Sequence, residues 1–350
     1  MAAANREWIF VKRPSGSGMS ESDFELRDCP TPVVGDGEVL LSTHLISIDP
    51  TMRNAMSGSE VAERTEGAAY YKFMNWQVGS VVSWSIIGRV EESKAPGFEV
   101  GDMVSTFAPL RERTVAVAEA CQKLPDGVSP TAVMSSMGGT ALTAYLSATH
   151  IGKPETGDVV FVSGAAGATG LVACQTFQNL GCKVVGSAGT DDKVALLESL
   201  GVSAFNYKKE STLEGLRRLS PNGLNIFYDN VGGETLEQAL EMMNDHGRVV
   251  MCGAISQYDM KPSERYGVRN LFHVIAKQLT LQGFIVTIFS EEHKAECIAT
   301  MAQWLQEGKL QDRHTALDGF DKFPAGIRGI LSGVNTGKML IRVPLPSSML

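Results

Sequence analysis

The sequence predicts a two-domain α/β protein in which a β-rich domain precedes a doubly wound parallel sheet. The chain has 350 residues, more than one ordinary domain contains. Its first third holds short β-type runs separated by Gly, Pro and Asp, whereas its middle alternates apolar strand-like runs with helical patterns. This change of pattern assigns residues 1–137 and 311–350 to the β-rich domain and residues 138–310 to the parallel-sheet domain.

Short β-type runs characterise the first domain. Glu38–Thr43, Val78–Val82 and Ile87–Glu91 contain aliphatic residues and are separated by turn residues. Runs of this length between clusters of Gly, Pro and Asp are typical of an antiparallel sheet. The last such run, Lys338–Val343, predicts a final strand that returns to this domain.

Continuous apolar runs followed by helical patterns mark the second domain. Asp158–Ser163 is such a run, as expected for a strand buried on both faces of a parallel sheet. Six strands are predicted, at Asp158–Ser163, Lys183–Ser187, Ala204–Asn206, Asn225–Asp229, Arg248–Cys252 and Leu279–Val286. Helices are predicted from Ala168 to about Gly181 and at Asp191–Leu200, Ser211–Leu219, Glu234–Met243, Val268–Lys277 and Glu291–Leu305.

Composition and charge exclude several classes of protein. Hydrophobic residues make up 43% and charged residues 20% of the chain, as in a globular protein. The formal net charge of −8 argues against a general role in binding nucleic acid or anionic membranes. Six scattered cysteines give neither a disulfide framework nor zinc-ligand spacing, and no apolar run reaches the roughly 18 residues of a membrane span. We therefore expect a cytosolic protein without a metal, nucleic-acid or membrane partner.

A glycine-rich turn carries the first sign of chemistry. It runs from Gly164 to Gly170, follows a predicted strand and opens a predicted helix. It fits the dinucleotide fingerprint with Ala165 in place of the first glycine, whereas Gly167 and Gly170 are present. Such a turn lets the backbone approach a pyrophosphate at a helix N-terminus. The sequence therefore predicts a nicotinamide dinucleotide site.

The end of the second strand favours NADP over NAD. NAD sites place a carboxylate there to bind the ribose hydroxyls, but this strand ends in the small residues Ser187 to Thr190. Lys193 follows closely and is a candidate partner for a 2′-phosphate. Asp191 and Asp192 argue somewhat against a phosphate site, and we expect them instead to cap the helix and face its dipole.

The segment Pro32–Val39, the stretch from Gly88 to Val104 and the glycine-rich turn together resemble the medium-chain dehydrogenase/reductase superfamily, and seven motifs narrow the match. Within it they resemble the prostaglandin reductase, leukotriene B4 dehydrogenase and alkenal double-bond reductase family, in that family's order along nearly the whole chain. The motifs are Ser47–Arg53, Val162–Gly167, Gly189–Lys193, Phe205–Lys208, Tyr228–Glu234, Cys252–Tyr258 and Gly333–Lys338. The resemblance implies a GroES-like catalytic domain, a Rossmann domain and NADPH as cofactor.

The resemblance also implies roles for individual residues of the Rossmann domain. Gly164, Gly167, Ala168, Thr169, Gly170 and Leu171 would lie at the pyrophosphate, and Lys193 and Tyr207 at the 2′-phosphate. Asn230, Cys252, Gly253, Ala254, Ile255 and Ser256 would lie along the cofactor, and Asn335 near its phosphates or ribose. Phe284, Ile285 and Val286 would lie beside the nicotinamide, as residues of a core strand.

Tyr258 is the candidate catalytic residue. It follows the fifth strand of the parallel sheet, and the carboxyl ends of such strands form the ligand crevice. A phenol there can donate a hydrogen bond to a developing enolate oxygen, or supply a proton. The alternative is that Tyr258 only packs on the nicotinamide ribose.

The activity follows from the missing zinc ligands. Zinc alcohol dehydrogenases of the superfamily carry Gly-His-Glu where this chain reads Gln77–Val82, and a cysteine where it reads Ser47–Pro50. Without a Lewis acid, hydride must go to an electrophilic acceptor such as an enone, an enal or a quinone. The resemblance implies an NADPH-dependent 2-alkenal/enone reductase. A quinone reductase and an NADPH-binding protein with structural or regulatory use and little turnover stay open.

Two departures from the family fall on the substrate side. Thr51 stands where the family usually has tyrosine, and residues 259–267 replace a segment that is often proline-rich. We assign Thr51 and Arg53 to the substrate side, and these departures leave the substrate itself open. The family also implies a homodimer, with the strand Leu279–Val286 as its seam.

We predict that the protein holds no catalytic metal, because the ligand motifs are missing. Elemental analysis of the purified protein should find well under one zinc ion per chain, and chelators should leave NADPH-dependent activity intact. Stoichiometric zinc together with inactivation by a chelator would contradict it.

Overall fold

The structure, a computed structural model, describes residues 5–14, 18–57 and 75–345. It divides into two compact units. The first contains the described residues up to Met134, His314–Val334 and those from Met339 onward; the second contains Ser135–Arg313 and Asn335–Lys338. The segment 335–338 therefore lies in the second unit, whereas the sequence pattern assigned all of 311–350 to the first.

The elements below are those of the described residues. The strands are β1 (Asn5–Phe10), β2 (Phe24–Cys29), β3 (Glu38–Ile48), β4 (Ser83–Ser93), β5 (Met103–Pro109), β6 (Arg113–Val117), β7 (Gln122–Lys123), β8 (Val159–Val162), β9 (Lys183–Ala188), β10 (Ser203–Asn206), β11 (Leu224–Asp229), β12 (Met243–Met251), β13 (Thr280–Gly283), β14 (His314–Asp318) and β15 (Lys338–Arg342). The α-helices are Thr51–Ala55, Pro130–Ser136, Gly139–Ser147, Ala168–Asn179, Asp191–Ser199, Thr212–Leu219, Gly233–Met242, Phe272–Ala276, Glu291–Gln306 and Phe323–Leu331. None of these helices is long and apolar enough to cross a membrane.

The first unit is built on an antiparallel sheet. Its strands follow the order β14-β15-β3-β4-β5-β7, and β6 pairs with β3. The pairing of β15 with β3 confirms the predicted return of the final strand. The core beside this sheet is aromatic: Trp8, Phe24, Trp76 and Phe323 pack with ring centroids 5.4–6.4 Å apart. Burial of such large rings contributes much of the stability of a β-rich domain.

The second unit contains the predicted doubly wound sheet. Its strands follow the order β10-β9-β8-β11-β12-β13, and all five pairings are parallel. The chain moves outward from β8 to β10, then returns to β11 and moves outward in the other direction. Loops on the two sides of this reversal leave the sheet in opposite directions and open a crevice at the carboxyl ends of β8 and β11. The fold class predicted from the sequence is therefore confirmed.

One predicted strand is absent, and another is shorter than predicted. Val78–Val82 forms a turn with only an isolated bridge at Val81, because Gly79 has a φ of +87°. The predicted strand Leu279–Val286 is wrong beyond Gly283. Its partner β12 ends at Met251, which pairs with Gly283, so no hydrogen-bonding partner is left for the following residues.

The predicted helix Val268–Lys277 is also wrong in its first half. Residues before Phe272 are held outside the helix by Glu237, whose carboxylate accepts from the backbone N–H of Arg269 at 2.7 Å. The Glu237 carbonyl accepts from the Asn270 amide at 2.7 Å. The helices Pro130–Ser136 and Gly139–Ser147 precede the first strand of the parallel sheet and were not predicted from the sequence.

Candidate functional site

The glycine-rich turn joins β8 to the helix Ala168–Asn179 at the strand reversal. Gly164 has a φ of +59°, and a Cβ on Gly170 would lie 2.4 Å from the Gly164 carbonyl oxygen. The helix therefore starts directly against the turn, and only glycine allows that approach. The N–H groups of a first helical turn have no intrahelical partners, which makes this end suitable for an anion. Ala168 and Thr169 lie here at the partly exposed surface.

Leu171 has a different position from the rest of the turn. Its side chain is buried, and its N–H donates to the Gly167 carbonyl at 2.9 Å. Leu171 therefore anchors the helix in the core, while Gly167, Ala168 and Thr169 form the accessible edge.

Thr190, not an aspartate, caps the helix that follows β9. Its side chain accepts from the Lys193 N–H, and Asp191 and Asp192 occupy the first turn. The capping role expected for the aspartates is therefore wrong, although their position in the first turn still suits the helix dipole. The Asp191 carboxylate accepts from the Asn206 amide at 2.9 Å and pairs with Lys209, so it is held at the end of β10.

Lys193, Tyr207 and Lys208 gather beyond the ends of β9 and β10. The Tyr207 N–H donates to the Ala188 carbonyl at 3.1 Å, and a Cβ on Gly189 would lie 2.7 Å from the Tyr207 hydroxyl. The phenol therefore covers Gly189 at the end of the second strand. Burial and the positive charge of Lys208 lower the pKa of Lys193. Bringing an anion to two lysines in this arrangement would favour the charged form of Lys193.

Lys208 is a candidate residue that the sequence analysis missed. It belongs to the motif Phe205–Lys208, but only Tyr207 was chosen from it. The sequence did contain a signal for it. Lys208 is a basic residue just after the third predicted strand, and Lys193 lies on the helix that follows the neighbouring second strand.

The loops after β8 and β11 are tied together by hydrogen bonds. The Asp229 carboxylate accepts from the Ser163 hydroxyl at 3.0 Å and from the N–H groups of Val231 and Gly232, each at 2.9 Å. The Asn230 amide donates to the Ser163 carbonyl at 2.8 Å. Asn230 therefore fixes the end of β8 beside the glycine-rich turn.

The loop 252–258 is held against the end of β11. The N–H groups of Cys252 and Gly253 donate to the Asp229 carbonyl at 2.9 and 3.0 Å. Ile255 donates through its N–H to the Asn230 carbonyl at 3.1 Å, and the Ser256 hydroxyl donates to the Val231 carbonyl at 2.6 Å. The loop therefore follows the crevice edge between β11 and β12.

Tyr258 folds back over the start of its own loop. Its hydroxyl oxygen accepts from the Ala254 N–H at 3.2 Å, and a Cβ on Gly253 would lie 3.0 Å from that oxygen. A phenol is both a donor and an acceptor of hydrogen bonds. The fold thus places a phenol directly on the loop at the carboxyl end of β12.

Asn335 lies beside the glycine-rich turn within the second unit. It is buried, and its amide donates to the Gly337 carbonyl at 2.7 Å. Gly337 in turn donates its N–H to the Ala166 carbonyl at 2.8 Å. The segment 335–338 is therefore joined to the turn, and Asn335 sets its conformation.

Phe284, Ile285 and Val286 lie past the end of β13 and are half-buried, so their assignment to a core strand is wrong. Val286 begins a 3-10 turn, and the Phe284 ring packs on Phe289 with centroids 6.0 Å apart. The three residues form a connecting segment at the carboxyl end of the sheet.

Thr51 and Arg53 lie in the first unit, on the short helix Thr51–Ala55. Arg53 is buried and donates to the Ser57 hydroxyl at 2.6 Å. Asp49, just before the helix, accepts from the Trp84 indole at 2.9 Å and from Ser47. These hydrogen bonds therefore hold the motif Ser47–Arg53 in its conformation.

The residues of the second unit fit a phosphorylated dinucleotide. The accessible turn edge at Gly167, Ala168 and Thr169 lies at the central reversal, and two neighbouring lysines, Lys193 and Lys208, lie beyond the second and third strands. This is the order in which a dinucleotide presents its pyrophosphate and its adenosine ribose. In the part of the chain that the structure describes, no three His, Cys, Asp or Glu side chains are grouped to hold a metal ion.

Comparisons with known proteins agree with this geometry. The sequence matches two family models, described as the N-terminal domain of oxidoreductase over residues 6–124 and as zinc-binding dehydrogenase over residues 168–306. It is 35% identical to NADP-dependent oxidoreductase RED1 of Cochliobolus heterostrophus across 97% of both chains. It is 34% identical to prostaglandin reductase 1 of Mus musculus across 96% of this chain and 98% of that one. The crystal structure of CurA from Vibrio vulnificus in complex with NADPH has a TM-score of 0.88 and 28% identity, and the match covers 97% of this chain and 100% of that one.

Lys193→Ala tests the predicted position of Lys193 at the 2′-phosphate: loss of one charge-assisted contact there should weaken NADPH binding by about 1.5–3 kcal/mol. NADH binding should hardly change. Equilibrium titration with both cofactors measures the difference. Lys183→Ala is the matched control: this exposed lysine lies at the amino end of β9, away from the carboxyl end that leads to Lys193, so its loss should leave the NADPH preference unchanged. Equal weakening for both cofactors in Lys193→Ala would place Lys193 away from the phosphate.

Proposed function

The chain belongs to the medium-chain dehydrogenase/reductase superfamily and, within it, to the zinc-independent family of prostaglandin reductase 1, and on this basis we propose that it reduces the carbon–carbon double bond of α,β-unsaturated ketones and aldehydes with NADPH. The observation that carries the proposal is the Tyr258 phenol, fixed over Gly253 on the loop at the carboxyl end of β12. A hydrogen-bond donor in that crevice suits an acceptor whose oxygen gains charge during reduction.

Backbone N–H groups and charged side chains would together bind the cofactor. Gly167, Ala168 and Thr169 would hold the pyrophosphate at the helix N-terminus. Lys193, Lys208 and Tyr207 would hold the 2′-phosphate, which NADPH has and NADH lacks. Asp191 does not oppose this, because Lys209 and Asn206 already engage its carboxylate.

The chemistry divides between the cofactor and Tyr258. Bound NADPH supplies a hydride, which an enone or enal accepts at its β-carbon. The substrate oxygen then carries negative charge, and the Tyr258 O–H stabilises it by donating a hydrogen bond. The α-carbon gains its proton from the phenol or from water, so the substrate takes up one hydride and one proton in total.

A panel of acceptors tests the proposal. NADPH consumption should be fastest with enals and enones, and mass spectrometry should show a product two hydrogens heavier with the carbonyl retained. Rapid turnover of quinones alone would identify a quinone reductase. Tight NADPH binding without turnover of any acceptor would identify a cofactor-binding protein with a structural or regulatory use.

Tyr258→Phe should lower the rate of enone reduction about 10²-fold, the range for loss of one oxyanion donor or general acid. NADPH affinity should stay the same, because the ring is retained. Steady-state kinetics and cofactor titration measure the two effects. Tyr145→Phe is the matched control, because that phenol lies on the helix Gly139–Ser147, packs against Trp304 and has no proposed role in the reaction. Full activity in Tyr258→Phe would reduce Tyr258 to a packing role.

The exposed edge of the parallel sheet supports a homodimer. Among the described residues β13 is the last strand of the sheet, and one side of its backbone has no neighbouring strand there. Around it, Phe272 and Ile275 are each 73% exposed, and Leu271 and Ile288 are more than half exposed. An unpaired edge flanked by large apolar side chains suits pairing with the same edge of a second copy about a twofold axis.

Phe272→Glu should shift the dimer toward monomer, because it places a charge in this apolar surface. Light scattering coupled to size-exclusion chromatography measures the mass. Val33→Glu, at a position 88% exposed in the first unit, controls for an added surface charge and should leave the dimer intact. A wild-type chain that elutes as a monomer at micromolar concentration would contradict the dimer.

A further inference from the structure

The loop 252–258 lies against the start of the helix Gly233–Met242. Gly233 has a φ of +58°, in the left-handed region that favours glycine. A Cβ on Gly233 would lie 3.2 Å from the Ser256 hydroxyl oxygen and 3.4 Å from the Gln257 amide nitrogen. The missing side chain therefore lets the loop lie directly on the first residue of this helix.

The chain returns to the same helix one turn later, at Glu237. The Glu237 carboxylate accepts from the Tyr266 hydroxyl at 2.9 Å and from the Arg269 N–H at 2.7 Å. The Glu237 carbonyl accepts from the Asn270 amide at 2.7 Å. The backbone hydrogen bond from Arg269, more than any other contact, lowers the pKa of Glu237. At neutral pH the side chain is therefore a carboxylate, and both of its oxygens can accept.

One face of the helix thus receives both ends of the segment 256–270. Gly233 and Glu237 are four residues apart, so they lie on the same face of the helix. A Cβ on Gly233 would also lie 3.6 Å from the Tyr266 Cβ, so the returning chain reaches both positions. Tyr258 lies in the chain between these two attachments. Fixing both ends of a segment reduces the number of conformations open to the residues between them.

The contacts of Glu237 differ from those of Glu241, one turn further along the helix. Glu241 is exposed, and its carboxylate makes no hydrogen bond or ion pair with the residues that the structure describes. The Glu237 carboxylate instead joins a side chain and a backbone N–H that lie 29 and 32 positions later in the chain. A carboxylate that holds a backbone N–H fixes the path of the chain itself.

We infer that Glu237 is a positioning residue for the reduction: by holding the far end of the segment 256–270, it keeps the Tyr258 phenol in place at the carboxyl end of β12. On the near side, the Ala254 N–H donates to the Tyr258 hydroxyl at 3.2 Å, at the long end of the range for such bonds. A second attachment matters because small displacements of a reacting group cost much of the rate. The inference rests on the role of Tyr258 under the proposed function.

Hydrogen exchange of the full-length protein tests the attachment. Glu237→Ala removes both acceptors of the side chain and keeps the helix, because alanine has the highest helix propensity. Amide exchange within residues 258–265 should become at least about tenfold faster, the effect of losing about one net hydrogen bond. Glu241→Ala, on the same helix, is the matched control and should change it less than about twofold. Unchanged exchange in Glu237→Ala would overturn the inference.

Steady-state kinetics tests the consequence for the reaction. Glu237→Ala should lower kcat for enone reduction about five- to tenfold, because the phenol is held less closely. The dissociation constant for NADPH should change less than about twofold, because the glycine-rich turn and the lysines stay in place. Glu237→Gln should restore most of kcat, since its amide can accept from the Arg269 N–H and donate to the Tyr266 hydroxyl.

A double variant separates positioning from a general effect on stability. In a Tyr258→Phe background, Glu237→Ala should lower kcat less than about twofold, because the phenol through which it acts is already missing. Equal losses in both backgrounds would overturn the inference, as would faster exchange without any loss of kcat. If Glu237→Ala does not fold, Tyr266→Phe serves, and it should change exchange and kcat in the same direction. Absence of enone reduction by the wild-type protein would instead contradict the proposed function, so the two failures are distinct.

Discussion

The crevice depends on one buried carboxylate. Asp229 is fully buried, its side chain accepts three hydrogen bonds, and its carbonyl accepts from Cys252 and Gly253. Burial raises the pKa of this group, whereas the three donors favour its charged form. Through these bonds one residue sets the end of β8, the turn after β11 and the start of loop 252–258. Buried hydrogen bonds to Asp229 therefore set the geometry of the proposed site.

The central part of the fold could be predicted because its signals are local. Continuous apolar runs and glycines at turns are properties of short segments, and they predicted the six strands around the reversal between β8 and β11. The edge was less predictable. β13 ends where its partner ends, and the segment before Phe272 is held by Glu237, a residue more than 30 positions earlier. Both boundaries depend on contacts between distant residues, which the sequence pattern does not contain.

Candidate site residues could be chosen from the sequence by type, whereas their arrangement could not be predicted from it. Asp191 was recognised as near the expected phosphate, but only the structure shows its charge engaged by Lys209. Lys208 was missed because its significance comes from the facing Lys193, on another element. Asn230 and Asn335 belong to family motifs, yet both amides are used to hold loops in place. We therefore propose that binding depends largely on backbone N–H groups and on the lysine cations.

The state of the thiols bears on the proposed substrate class. Enals and enones add to thiolates, not to neutral thiols, so an enzyme that reduces them is exposed to alkylation by its own substrate. Burial raises the pKa of all six cysteines, to about 11 for Cys182 and about 12 for Cys252 and Cys297. At neutral pH Cys252, the first residue of the loop 252–258, is therefore present almost entirely as S–H and resists addition of the proposed substrate.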